Sequence, residues 1–375
     1  MLEELRQLLV QEWFLVVPAF VFVLTIVVFF HELGHFLVAR WCGVTVEAFS
    51  IGFGPEIWGF NDRKGTRWRL AWIPLGGYVK FIDDQNAASI PDEEAVKEMS
   101  PQQRAGALQF KPLWQRAAVV AAGPIASFLL GIAIFAVFLA SYGETRYYKP
   151  IVSQVIKDSA AEKAGFKPKD EILAINGSKI RAFADVRVAV NINGDKELVF
   201  TVLRDGKQVD LKAVAKVAEK RDPLGKPIRL LGLATSKEHR VMVKVDPLTA
   251  INLSVEKTYS IVSTTLSYLT NVITLQAPPD QLSGPVGIAK TAGKLAADGG
   301  ILILIQFSAY LSIAIGLFNL FPIPLLDGGH LVFYLAEAII GRPVSAKTQD
   351  IAASVGFALL ILLMVFVTHQ DIFAS

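Results

Sequence analysis

The chain has 375 residues, 53% of them hydrophobic and 19% charged, with a formal net charge of +3. Soluble domains carry about a quarter charged residues, so the composition excludes an ordinary soluble protein, and the nearly balanced charge gives no footing for nucleic acid or an acidic partner. The single cysteine, Cys42, excludes an internal disulfide and reads as a small residue near a helix end.

Phe14 to Phe30 is an almost uninterrupted apolar run that, carried on to about Leu37, is the first of four stretches long enough to span a bilayer. It follows Glu3, Glu4 and Arg6 with no basic leader and no small-residue cleavage site, so residues 1–40 are expected to stay in the protein rather than leave as a signal peptide. At its end stands His31-Glu32-Leu33-Gly34-His35. Residues four apart share a helix face, so His31 and His35 can reach one metal ion while Glu32 faces a water beside it, the spelling of a zinc hydrolase. Ionisable side chains near membrane depth are costly, which makes function the default reading of such a cluster.

Residues 41–116 lead to the second span, 117–142. Within them Thr66 to Phe81 (about 66–81) reads as a β-hairpin, with Trp68, Leu70, Trp72 and Val79 alternating with polar residues around Leu75-Gly76-Gly77. Trp68 and Trp72 suit interface anchors for a hairpin resting on headgroups. Asp83 to Gly106 is acidic and polar, expected as a mobile loop. Arg40, Arg63, Lys64, Arg67, Arg69, Lys80, Lys111 and Arg116 collect here, and Arg342 and Lys347 in the link before the fourth span, whereas the two ends of the chain are poor in Lys and Arg. The charge rule then puts both termini outside the cytoplasm and the metal motif toward the cytoplasmic end of its helix.

Residues 148–235 change character. Strand-like runs such as Ile151–Val155 and Leu198–Leu203 are separated by turn signals at Asn176-Gly177, Asn193-Gly194 and Asp205-Gly206, the pattern of a compact β-rich domain. Residues 245–300 hold a helix of roughly amphipathic spacing, Pro247 to Thr274, lying on the membrane face or packed on the β domain, and then a connector past Ser283-Gly284-Pro285-Val286-Gly287.

The third span runs from Ile301 to Leu320 within residues 301–330, and the fourth from Ile351 to Val367 within 350–368. The third ends in Asn319-Leu320-Phe321-Pro322-Ile323-Pro324-Leu325-Leu326-Asp327-Gly328-Gly329, where prolines and glycines break the helix. Irregular chain at this depth must be buried in protein or line a wet cavity. Asp327 there is either a third metal ligand or a helix-end residue bonded to the amides of Gly328 and Gly329; His330 is a rival ligand, or stabilises the start of the next segment. The first and third spans run in the same direction, so His31, His35 and Asp327 can converge. Two histidines and a carboxylate leave tetrahedral Zn2+ a fourth position for water, as catalytic sites do, with Glu32 as the base that moves the proton during peptide-bond hydrolysis.

These motifs resemble the site-2 protease family of intramembrane metalloproteases, and closely its bacterial regulator-of-sigma-E branch. The resemblance rests on the HExxH motif, Gly52-Phe53-Gly54-Pro55, Lys111-Pro112-Leu113-Trp114-Gln115-Arg116 before Ala122-Gly123-Pro124, Gly284-Pro285-Val286-Gly287 and the stretch from Asn319 to Gly328. Ser159 to Gly165 with Asp170 to Gly177 is similar to the bacterial, circularly permuted PDZ domain, although Lys169 stands where that family usually has glycine. The implied fold is a polytopic α-helical membrane protein of about four transmembrane helices, with a membrane-associated β-hairpin and one exoplasmic PDZ domain. The resemblance implies cleavage of single-pass transmembrane proteins, such as anti-sigma factors, after a first protease has trimmed them, in a bacterial inner membrane with termini and PDZ domain periplasmic. It assigns Zn2+ to His31, His35 and Asp327, catalysis to Glu32, and substrate contact to Asn319, Trp72, Gly76 and Gly77; an exposed strand edge can pair with an unwound substrate. Partners are then the substrate and the lipid bilayer, with no nucleic acid. Many members carry Asn where this chain has Ser127, and the best-known one has a second PDZ domain. Readings from other classes are a PDZ-bearing membrane scaffold and a metal transporter; the scaffold has no use for Glu32, and a transporter is expected to show broken helices in both halves.

Overall fold

A computed structural model of the chain describes residues 2–84, 99–147, 150–180, 182–221, 227–234 and 240–373. Most of the expected loop between Asp83 and Gly106, and both ends of the expected β domain at 148–149 and 235, lie outside the described residues. Four helices among the described residues are long and apolar enough to cross a membrane, over Phe14–Trp41, Leu113–Tyr142, Pro285–Asn319 and Lys347–Phe373. Their outward faces are apolar: Leu362 is 72% and Val355 63% exposed, which only a lipid surround makes favourable. This is the fold of a polytopic membrane protein. The chain divides into two units, residues 1–135 with 288–366 and residues 136–287 with 367–375.

The first unit begins with α1 (Leu2–Trp41), followed by strands β1 (Val46–Asn61) and β2 (Arg67–Phe81). The expected hairpin of 66–81 turning at Leu75–Gly77 does not form. The turn lies earlier, where Asp62 Oδ1 accepts from the amides of Lys64 and Thr66, and β2 pairs with β1 rather than folding back on itself. Both strands bend. Gly52 and Gly54, at φ +87° and +84°, supply left-handed backbone that other residues rarely adopt, and so turn β1 at the Gly-Phe-Gly-Pro element. As a result Phe49, Ser50 and Ile51 pair on one side with Trp68, Arg69 and Leu70 and on the other with Val79, Tyr78 and Gly77. Gly77–Phe81 is therefore an outer strand, with no strand on its far side among the described residues. Asp83 and Asp84, expected in a mobile loop, are buried, and Asp83 accepts from the amides of Leu108 and Gln109 at 3.0 and 2.9 Å.

Helix α2 (Leu113–Tyr142) crosses α1 at small residues. A Cβ on Gly34 would lie 2.7 Å from the Cβ of Ala126, so these backbones touch, which supplies van der Waals contact where lipid gives little hydrophobic drive. Phe36, Ala39, Phe49, Val79, Phe81 and Val119 form a shared core that fixes the sheet against both helices. Val23 and Val27 pack with Ala292, Leu304 and Leu311 of α3 (Pro285–Asn319). The expected third span from 301 is the second half of that helix. The part from Pro285 to Gly299 is helical too, and Gly300 at φ 62° marks the break between them. Beyond the Pro-rich loop, α4 (Asp327–Ile340) is a helix that the sequence pattern did not disclose, closed by Gly341 in the left-handed conformation. The last helix, α5, is Ala346–Phe373.

In the second unit a four-stranded antiparallel sheet is built from Glu171–Ile175, Ser178–Lys179, Glu197–Arg204 and Lys207–Val214. Its core holds Ile172, Leu198, Phe200 and Val202, none of them exposed at all, each worth roughly 1.5–3 kcal/mol of burial. Asn176-Gly177 turns between strands as expected, whereas Asn193 closes a helix, Phe183–Ile192, that the strand pattern had not suggested. The expected amphipathic helix is present as Pro247–Ile273.

Candidate metal and catalytic centre

His31 and His35 sit one turn apart on α1, and Asp327 is the first residue of α4. The structure brings the three together. His31 Nε2 is 3.3 Å from His35 Nε2 and 3.3 Å from Asp327 Oδ2, and His35 Nε2 is 3.5 Å from Asp327 Oδ1. Asp327 does not cap its helix: the Gly329 and His330 amides bond instead to the Leu326 carbonyl. Its Oδ2 is buried without a hydrogen-bond partner.

The outer ring nitrogens explain why the inner ones are free. His35 Nδ1 donates to the Val119 carbonyl at 2.9 Å, which leaves Nε2 as a bare lone pair in the neutral ring. His31 Nδ1 meets the Ser127 hydroxyl at 3.0 Å. With His31 in the tautomer whose Nδ1 donates to Ser127, two imidazole lone pairs and a carboxylate oxygen lie within 4.8 Å of one another, and a cation between them relieves their repulsion. Donors about 2.0–2.2 Å from a tetrahedral zinc stand about 3.3–3.6 Å apart, which the observed spacings match. The residues present fit a zinc ion, and outer partners of this kind are what orient metal-binding histidines.

Close approach of α2 depends on Gly123, because a Cβ there would run into the His35 ring, His35 Cδ2 lying 2.8 Å from it. The Ala122-Gly123-Pro124 motif is thus what lets α2 bring Val119 and Ser127 against the histidines. Leu325, at φ +82°, holds a strained conformation just before Asp327, a backbone state that clusters at functional sites.

A cavity of about 350 Å³ joins these groups, lined by His31, Glu32, His35, Gly77, Asn319 and Asp327 among others. Glu32 packs against the outer strand, its Cγ 3.3 Å from where a Cβ on Gly77 would lie. Of the other residues singled out from the sequence, Gly77 and Asn319 line the cavity, whereas Trp72 and Gly76 do not. Trp72 is 67% exposed at the bend of β2, and Asn319 Nδ2 donates to the Ile315 carbonyl at 3.0 Å. His330 lines the cavity, but its ring stands outside the three-ligand cluster. Arg116 and Glu337, which the sequence reading did not pair, form a largely buried two-contact ion pair in the cavity wall.

The sequence pattern of peptidase family M50 matches residues 19–363. The chain belongs to this family. A provisionally named zinc metalloprotease of Rhizobium meliloti is 45% identical to it over 95% of this chain and 96% of the relative. Another provisionally named zinc metalloprotease, from Brucella suis, is 47% identical over 95% of this chain and 94% of its own length. The metalloprotease MmpA of Caulobacter vibrioides is 38% identical over 94% of each chain. As an M50 peptidase with four long apolar helices among the described residues, the chain is a membrane zinc metalloprotease.

Proposed function

We propose that the chain is an intramembrane endopeptidase of the site-2 type, which hydrolyses peptide bonds within the transmembrane segments of single-pass proteins, anti-sigma factors among them, in regulated proteolysis at a bacterial inner membrane. The observation that carries this reading is the convergence of His31, His35 and Asp327 with Glu32 in one cavity whose wall is an outer β strand. His31, His35 and Asp327 would hold the zinc ion, which would supply Lewis acidity to a water and to the scissile carbonyl. Glu32 takes the proton from that water and later hands it to the leaving amine. A transmembrane helix hides its peptide bonds in its own hydrogen bonds and must unwind first. Gly77–Phe81 offers the unwound piece a strand edge beside Glu32. Trp72 and Gly76 hold the substrate before it reaches the cavity, and Asn319 contacts it at the cleavage point.

The β-rich domain is assigned as a PDZ domain on the periplasmic side with both termini. The helix of Ala160–Lys163, the strand of Glu171–Ile175 and the tight turn at Asn176-Gly177 support this. It either recruits peptides or excludes bulky ectodomains. The test is reconstitution of the purified chain in detergent with a synthetic transmembrane peptide. Cleavage that stops with a chelator and returns with zinc is expected; metal-independent cutting, or none, overturns the proposal.

A further inference from the structure

Amide hydrolysis passes through a tetrahedral intermediate. The water oxygen bonds to the carbonyl carbon, its proton goes to Glu32, and the carbonyl π electrons move onto oxygen. That oxyanion is best stabilised by a donor fixed in place before the reaction. Several side-chain donors lining the cavity are already engaged. Both metal-facing histidines have engaged Nδ1 atoms, Asn319 Nδ2 is bonded to Ile315, and Gln349 Nε2 to the Val344 carbonyl at 2.9 Å. Arg116 bonds Glu337 and Lys111, and its guanidinium lies over the Tyr334 ring at 5.1 Å.

His330 differs. It lies three residues after Asp327 on α4, so the two share a helix face. Its ring lines the same cavity and interacts electrostatically with both Asp327 and His35. Among the described residues its ring makes no hydrogen bond, so an N–H is left for a partner that enters the cavity. We propose that this partner is the reacting substrate: His330 donates an N–H to the oxyanion as the water adds. When the C–N bond breaks, the electrons return to the carbonyl, Glu32 delivers its proton to the amine, and the bond from His330 weakens. This rests on the protease reading above and names one more residue for it.

The test compares wild type with His330→Ala and His330→Gln in the full detergent-solubilised chain, reading kcat, KM and zinc content. It also reads the affinity of a phosphinic peptide, which mimics the tetrahedral state. In His330→Ala, kcat is expected to fall by about 10²–10³-fold, with KM and one zinc per chain retained, and the phosphinic peptide to lose affinity in parallel. His330→Gln, which keeps a donor, is expected to recover part of the loss, and it carries the test if the alanine variant does not fold. Unchanged kcat, a change confined to KM, or loss of zinc overturns the inference while leaving the protease reading standing. An inactive wild type overturns both.

Discussion

Ser127 Oγ stands 3.0 Å from His31 Nδ1, on a serine with no exposed surface, and the Ser127 carbonyl in turn accepts from Ser312 at 2.8 Å. The chain from α3 through α2 to α1 thereby fixes how the His31 ring presents Nε2 to the cluster. Removing the hydroxyl in Ser127→Ala frees the ring to rotate and is expected to weaken zinc binding by about 10–100-fold. Competition with a chromogenic chelator measures this; a variant that holds zinc as tightly as wild type counts against the orienting role.

Glu32 and Asp327 line one cavity, and the proposed mechanism gives them separable jobs. Glu32→Gln removes the base and leaves the three donors untouched, so zinc content is expected to stay at wild-type level while kcat falls by about 10²–10⁴-fold. Asp327→Asn removes the only charged donor and is expected to lose both metal and activity. Elemental analysis of the two purified variants reads the difference, and equal zinc loss in both would show that Glu32 is itself a ligand.

The place of His31, Glu32 and His35 in one cluster was legible because four-residue spacing on an apolar helix is a local signal, and that of Asp327 because two prolines and two glycines break a span at a carboxylate. The partners of those residues were not. Val119 and Ser127 reach the histidines only through the crossing of α1 and α2, and Arg116 meets Glu337 across 221 positions of chain, so neither contact leaves a local pattern. Helix α4 was hidden because its 14 residues are too few to read as a span. The sheet was misread for a similar reason. Alternation shows that Thr66–Phe81 is extended but not what it pairs with, and the bends in both strands depend on contacts distant in sequence.

Gly77 has no room for a side chain. A Cβ there would lie 2.7 Å from both the Ser50 carbonyl and Val28 Cγ1, and 3.3 Å from Glu32 Cγ. Gly77→Ala is therefore expected to push the outer strand away from Glu32, at a cost of about 1–3 kcal/mol, and to cut turnover at least about tenfold with zinc retained. Single-turnover kinetics beside zinc analysis checks this. Full activity would mean that the strand edge does not need its present contact with α1.

Arg116 and Glu337 are only 12% and 15% exposed, with Arg116 Nη1 3.0 Å from Glu337 Oε2 and a second contact between Nη2 and Oε1. Breaking a buried pair leaves one charge uncompensated, so Glu337→Ala is expected to destabilise the protein by about 3–5 kcal/mol. Replacing both, as Arg116→Met with Glu337→Leu, is expected to restore most of it. Unfolding in mixed micelles measures both variants. A double variant as unstable as the single one would show that the pair matters for more than its own charges.

Asp170, 1% exposed, holds the β-rich domain together at one corner: Arg204 contacts its two oxygens at 2.7 Å each, and the Lys167 amide donates at 2.8 Å. Burial pushes its carboxyl upward, but the Arg204 and Lys167 hydrogen bonds outweigh that and hold the pKa below the ordinary carboxylate value. A carboxyl depressed in the folded state stabilises fully above its unfolded pKa, near 3.9, and that contribution is lost as pH falls through the folded value. Exchange protection of the Ile172 and Phe200 amides in the full chain is therefore expected to be level from neutral pH down to about 5, after correction for intrinsic exchange rates, and to drop below about 4. Asp170→Asn is expected to lose about 1–3 kcal/mol near neutrality and to flatten the acid limb. An acid limb as steep in the variant as in wild type would assign the pH dependence to other groups.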